Sequence, residues 1–113
     1  MAKAIMVVMA NAADGRDDEF RKWYDDIHMP DVLETPGFAR ATRYELGTRY
    51  VPAEGPSAGQ GMFMIIYEVD SEDTEAAWAA LRENLGKKYQ QGRHSDSLRL
   101  QSLGFYKPVN SQP

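Results

Sequence analysis

The side chains best suited to chemistry in this chain lie close together, in Trp23-Tyr24-Asp25-Asp26-Ile27-His28-Met29-Pro30-Asp31-Val32-Leu33. His28 is one of only two histidines. An imidazole titrates near neutral pH, so His28 has the lone pair a general base requires, and Asp25, Asp31 or a backbone carbonyl is near enough in sequence to fix its tautomer. A histidine at a helix end also serves as a cap, donating to the last carbonyls and interacting with the dipole. Sequence alone leaves both readings open. Asp25 and Asp26 read as a solvated helix face.

Other polar groups carry less. His94 lies in Gly92-Arg93-His94-Ser95-Asp96, a polar loop whose histidine is solvated unless the loop lines a cleft mouth. Two histidines and a carboxylate can hold a metal, but His28 and His94 lack ligand spacing, so no metal and no cofactor are expected. Tyr44, Tyr67 and Tyr106 have hydroxyls that can orient a phenolic or carbonyl ligand, or merely reach the edge of a packed core. Met6, Met9, Met62 and Met64 fill irregular gaps and equally suit a pliable apolar pocket. The glycine-rich stretch around Ser57 matches neither a phosphate loop nor a nucleophile elbow.

The elements that must position these groups follow from periodicity. Ile5, Val7 and Met9 alternate with Met6, Val8 and Ala10, so residues 4–10 form a strand that is apolar on both faces. Phe20, Trp23, Tyr24 and Ile27 make the apolar stripe of a helix that opens on Asp17, Asp18 and Glu19. Met29 precedes Pro30, which predicts a helix end near His28 and a short second turn over 31–34 before Thr35-Pro36-Gly37. Residues 38–46 form a second strand, with Arg40, Thr42 and Tyr44 on one face and Arg43 and Glu45 on the other. Residues 47–61 read as a long mobile loop. Residues 62–69 form a third strand, apolar on both faces. A second helix is capped by Ser71 or Asp73, buries Ala77, Trp78, Leu81 and Leu85, and ends at Gly86. Residues 87–97 read as irregular and 98–106 as the fourth strand.

The order β-α-β-β-α-β is the ferredoxin-like arrangement, an α+β fold with two helices on one face of a four-stranded antiparallel sheet, here one domain over 1–113. Two helices cover one face only. The apolar second face of the first and third strands predicts a cover from a second copy, and hence a homodimer.

Composition narrows the function classes. The 113 residues are 42% hydrophobic and 27% charged, with a net charge of −4. An acidic balance gives no electrostatic basis for binding nucleic acid or an anionic membrane. The absence of cysteine excludes disulfides, thiolate catalysis and cysteine-ligated metal centres. The apolar run after Lys3 reads as the first strand and not as a signal peptide, which places the protein in the cytoplasm.

The pattern W-Y-x-x-x-H at Trp23 to His28, then P-x-x-L at Pro30 to Leu33 and P-G-F at Pro36 to Phe38, resembles the EthD-like branch of the dimeric α+β barrel superfamily. The resemblance implies a homodimer whose sheets form a barrel and whose protomers each enclose a cleft between sheet and helices. It places the family's recurrent histidine on His28. Members include cofactor-free oxygenases, polyketide cyclases and isomerases, so the fold hosts many chemistries. Two functions are therefore expected in parallel. In the first, a cofactor-independent enzyme moves a proton on a small hydrophobic, aromatic or polyketide-like intermediate. His28 is the base, Tyr44, Arg43 or Tyr67 holds the oxyanion, and Trp23, Tyr24, Met64, Tyr67 and Tyr106 line the ligand site. In the second, a non-catalytic protein of the same fold binds a small apolar ligand, with His28 as a cap.

Overall fold

The computed structural model describes residues 2–51 and 62–113. Most of the stretch anticipated as a mobile loop, 47–61, therefore lies outside the described residues. The elements run β1 (Ala4–Ala12), α1 (Asp17–Trp23), a π-helical turn (Tyr24–His28), α2 (Met29–Leu33), β2 (Phe38–Glu45), β3 (Phe63–Val69), α3 (Thr74–Gln90) and β4 (Leu98–Tyr106). The strands form one antiparallel sheet in the order β2-β3-β1-β4. This is the anticipated ferredoxin-like α+β fold, with the first helix built from three consecutive helical segments.

Register decides which side chains meet the helices. Val8 pairs with Ile65 on one side and Leu103 on the other, and Met6 pairs with Tyr67 and Phe105. Ala4, Met6, Val8, Ala10, Phe63, Ile65, Tyr67 and Val69 are buried beneath the helices. Their alternates, Ile5, Val7, Met9, Met64 and Ile66, stay partly open on the other face. β1 runs two residues beyond its expected end because Asn11 and Ala12 pair with Arg99 and Leu98 of β4. A register shift between Met9 and Ala10 twists that corner.

Three expectations are corrected. The first helix does not end at His28: Met29 keeps helical angles (φ −60, ψ −47), and its amide donates to the Tyr24 carbonyl five residues back. Widening the turn lets Pro30, which has no amide hydrogen to donate, enter α2 at its start, where proline is tolerated. The second helix passes through Gly86 to Gln90. Gly92, at φ +74, is the glycine in the left-handed conformation that ends helices, and its amide donates to the Tyr89 carbonyl. Trp78 is not buried in the helix stripe but 39% exposed. Of the two cap candidates, Asp73 accepts from the Ala76 amide at 3.0 Å.

α3 is fastened to α2 more than to the sheet. The Asn84 side-chain amide donates to the Asp31 carbonyl and to the Thr35 hydroxyl, both at 2.8 Å, and Lys88 pairs with Glu34 at 2.9 Å. Toward β4 the helix leans on an edge contact between Trp78 and Phe105, 6.4 Å between centroids. Between those fastenings the helix stands off the sheet, and a cleft opens. No helix among the described residues is long and apolar enough to cross a membrane.

Candidate functional site

The cleft has a volume of about 450 Å³, within the range of small-molecule sites. Its floor is the inner face of β1 and β4, with Met6, Val8 and Leu103. Its walls are Leu81 and Leu85 of α3 and Val32 of α2. Few of its lining residues carry polar side-chain atoms: His28, Tyr24, Tyr67, Trp78, Arg82 and Tyr89.

His28 is held by aromatic faces. Its ring stacks on Trp23 (4.6 Å, 22°) and meets Tyr24 edge-on (4.9 Å, 67°). On a regular α-helix, residues five apart lie about 140° apart around the axis and cannot stack. The π turn brings Trp23 and His28 onto one row, while Tyr24, His28 and Val32, at four-residue spacing, all stay turned to the cleft. Because helical backbone continues through His28, the helix-end carbonyls that a cap would satisfy are absent there, and the ring borders the cleft instead. Among the described residues none hydrogen-bonds to its nitrogens. Asp31, anticipated as a possible partner, is 2% exposed and gives both carboxylate oxygens to Arg93 at 2.7 and 3.0 Å.

Burial in these apolar surroundings pulls the His28 pKa down from 6.5 to about 4, against the nearby Asp31 charge, which pulls upward. The ring is therefore neutral at pH 7 and carries a free lone pair. The shift has a measurable consequence. Between about pH 6.5 and pH 4 the unfolded chain takes up a proton that folded His28 refuses, so stability falls as pH drops through that window and is unaffected above it. Because the ring is partly solvent-accessible, the loss should be about 1–2 kcal/mol. Thermal melts at pH 7 and pH 4.5 should show a larger drop for wild type than for His28→Gln; equal drops would refute the depressed pKa.

Beside His28, the Tyr24 and Tyr67 hydroxyls share one hydrogen bond of 2.6 Å, with both rings buried. Burial raises both pKa values, so each phenol stays protonated. Two hydroxyl protons serve one bond. The second proton has no acceptor among the described residues.

A smaller polar annex of about 190 Å³ adjoins the cleft and shares His28, Leu85, Tyr89 and Leu98 with it. His94 lines the annex, stacked on Tyr89 at 4.1 Å. His28, His94 and Asp31 all border this space, but Asp31 is taken by Arg93, and no group of three His, Asp or Glu among the described residues is placed to hold a metal.

The structure brings together His28, Tyr24 and Tyr67 of the anticipated residues. Trp23 stands behind His28, in the annex, where its indole donates to the Arg93 carbonyl at 3.0 Å. Tyr44 pairs with Met64 and Tyr106 with Ile5, which sets Tyr44, Met64 and Tyr106 on the opposite face of the sheet from the cleft. Arg43 faces the helices but is paired with Asp25 at 2.7 Å and with Glu45, outside the cleft lining. Asp25 is thus an ion-pair partner. On α3, Trp78, Leu81 and Leu85 are expected from sequence as a buried stripe and line the cleft, together with Arg82, which the periodicity does not single out.

Among solved structures, the chain is similar to an EthD-like protein from Ralstonia eutropha JMP134, at 20% identity and TM-score 0.61, over 99% of this chain and 97% of that one. It is also similar to a candidate monooxygenase from Shewanella loihica PV-4, at 10% identity and TM-score 0.58, over 98% and 99% of the two chains. No protein-family model and no curated protein matches the sequence. At these identities the likeness is one of fold: the chain shares its ferredoxin-like α+β arrangement with an EthD-like protein, the family that the segment from Trp23 to Phe38 resembles.

Proposed function

We propose that this protein is a cofactor-independent enzyme that moves a proton on a small apolar compound, aromatic or polyketide-like, bearing a carbonyl or phenol. One observation carries the reading: a neutral imidazole and a buried phenol pair with a surplus proton border the same apolar cleft. His28 removes a proton from carbon beside the carbonyl, and the C–H electron pair moves onto oxygen. The spare tyrosine proton hydrogen-bonds the resulting oxyanion. Where a carbon–carbon double bond is conjugated with the enolate, the imidazolium returns its proton at the far carbon as the electron pair comes back from oxygen, which shifts the double bond and isomerises the substrate. Alternatively the enolate carbon attacks an internal carbonyl, forming a ring, and His28 protonates the new alkoxide. In a dry cleft the oxyanion stabilises the imidazolium, so a low resting pKa does not block the step. The fold neighbours support a small-molecule host without selecting the reaction.

Deuterium exchange tests this directly. In D₂O, 2-tetralone and 1,3-dihydroxynaphthalene should exchange their acidic carbon-bound protons faster with the protein than in buffer, followed by proton NMR. Exchange at the buffer rate for both sinks the proposal. Tyr67→Phe, which keeps the ring and removes a hydroxyl from the pair, should slow exchange about 10²-fold. Tyr44→Phe, on the other face of the sheet, should leave it unchanged; the reverse pattern would move the oxyanion site.

A binding role is the second reading, favoured by the lack of any described hydrogen bond orienting the His28 nitrogens. It predicts affinity for the same compounds without exchange.

A further inference from the structure

We infer that the ligand is a flat apolar compound carrying a carboxylate, and that Arg82 at the cleft border selects it. The inference rests on the small-molecule reading of the cleft and adds the ligand's charge.

Arg82 differs from the other guanidinium groups in its partners. Arg16, Arg21, Arg40, Arg43 and Arg93 each pair with a carboxylate. Arg99 donates to the Asp96 and Leu98 carbonyls. Among the described residues the Arg82 guanidinium meets only the face of Trp78, its carbon 6.0 Å from the indole centroid. The adjacent acid on its own helix, Glu83, is turned to Lys87 at 3.5 Å. Arg82 is also the one formally charged side chain among the described residues that line the cleft, since His28 is neutral there. Trp78 and Arg82, four residues apart on α3, form a ledge of indole and guanidinium beside Leu81 and Leu85. Such a ledge offers an aromatic acid two matched contacts: stacking for the ring, and a planar donor fork for the carboxylate. Filling the cleft strips water from the guanidinium, which a neutral ligand would leave uncompensated. The ligand then spans two poles, with its anion on α3 and its reactive oxygen at the tyrosine pair against the sheet.

The matched probes are 2-naphthoate and 2-naphthamide, alike in shape and different in charge. Binding is read by titration calorimetry and by tryptophan fluorescence, Trp78 lining the cleft and Trp23 the adjoining annex. Wild type should bind the acid about tenfold more tightly than the amide, the effect of one partly solvated charge-assisted contact. Arg82→Gln, an exposed helix substitution between good helix formers, should abolish that preference by weakening the acid alone. Arg82→Lys should restore part of it. Equal affinities in wild type, or a preference that survives Arg82→Gln, overturns the inference while leaving proton transfer intact. Failure of both probes to bind wild type at millimolar concentration overturns it together with the small-molecule reading of the cleft. Deuterium exchange without naphthoate preference separates the two.

Discussion

Replacing His28 with alanine should lower turnover of any exchange substrate by about 10²- to 10⁴-fold, the range that a positioned general base supplies. The variant should still fold. The ring is partly buried against Trp23 and Tyr24, and the buried centre of the structure, Phe20, Tyr24, Ile65 and Tyr67, does not include it. Affinity for a neutral cleft ligand should change little, which separates loss of a base from loss of a wall. The pH profile gives a second check. With the His28 pKa near 4, kcat/KM should stay level through neutrality and fall only on approaching pH 4. An acid limb near 6.5 would mean that the ring is solvated in the free enzyme. Activity retained by His28→Ala would remove the base assignment altogether.

The second large effect concerns assembly. On the sheet face away from the helices, Ile5, Val7, Met9, Met64 and Ile66 remain partly open, flanked by Tyr44 at 47% and Tyr106 at 58% exposure. That is a broad apolar surface reaching across all four strands, and a second copy is its proposed cover. Light scattering should give a mass about twice the 12.7 kDa of one chain. Met64→Lys places a charge at the middle of that face and should yield monomer or aggregate. The cleft lies on the other side of the sheet, so naphthoate binding to any soluble monomer should persist. A wild-type monomer at micromolar concentration would refute the assembly.

The element order was legible because its signals are redundant. Alternation in Ile5 to Ala10, the stripe from Phe20 through Tyr24 and the pair Ala77 and Leu81 all point to one topology. The faces were harder to read, for a physical reason: β1 and β3 are apolar on both sides, so composition does not say which alternate turns to the helices. Tyr44, Met64 and Tyr106 were placed at the ligand on that ambiguity, and cross-strand register sets them on the far side. Arg43 was free on paper and is neutralised in the fold by Asp25, 18 positions away. The Tyr24–Tyr67 bond joins groups 43 residues apart, and the Arg93–Asp31 pair spans 62. Periodicity has no access to contacts at such separations. His28 was found because its local setting is unusual, but its relation to Trp23 depends on a wide turn that a 3.6-residue period does not describe.

The wide turn at Tyr24–His28 also separates architecture from chemistry when the chain changes length. It accommodates one residue more than an α turn, so removing one residue there, such as exposed Asp26, leaves a segment able to close as regular helix, while every strand keeps its register. The flanking helical segments would keep their phase, because the residue removed is the one the wide turn absorbs; Trp23 and the imidazole would stay on one row at four-residue spacing, while Tyr24 would meet the ring from three residues away. A one-residue deletion at this point should thus change the contact between Tyr24 and the imidazole while leaving the sheet unaltered.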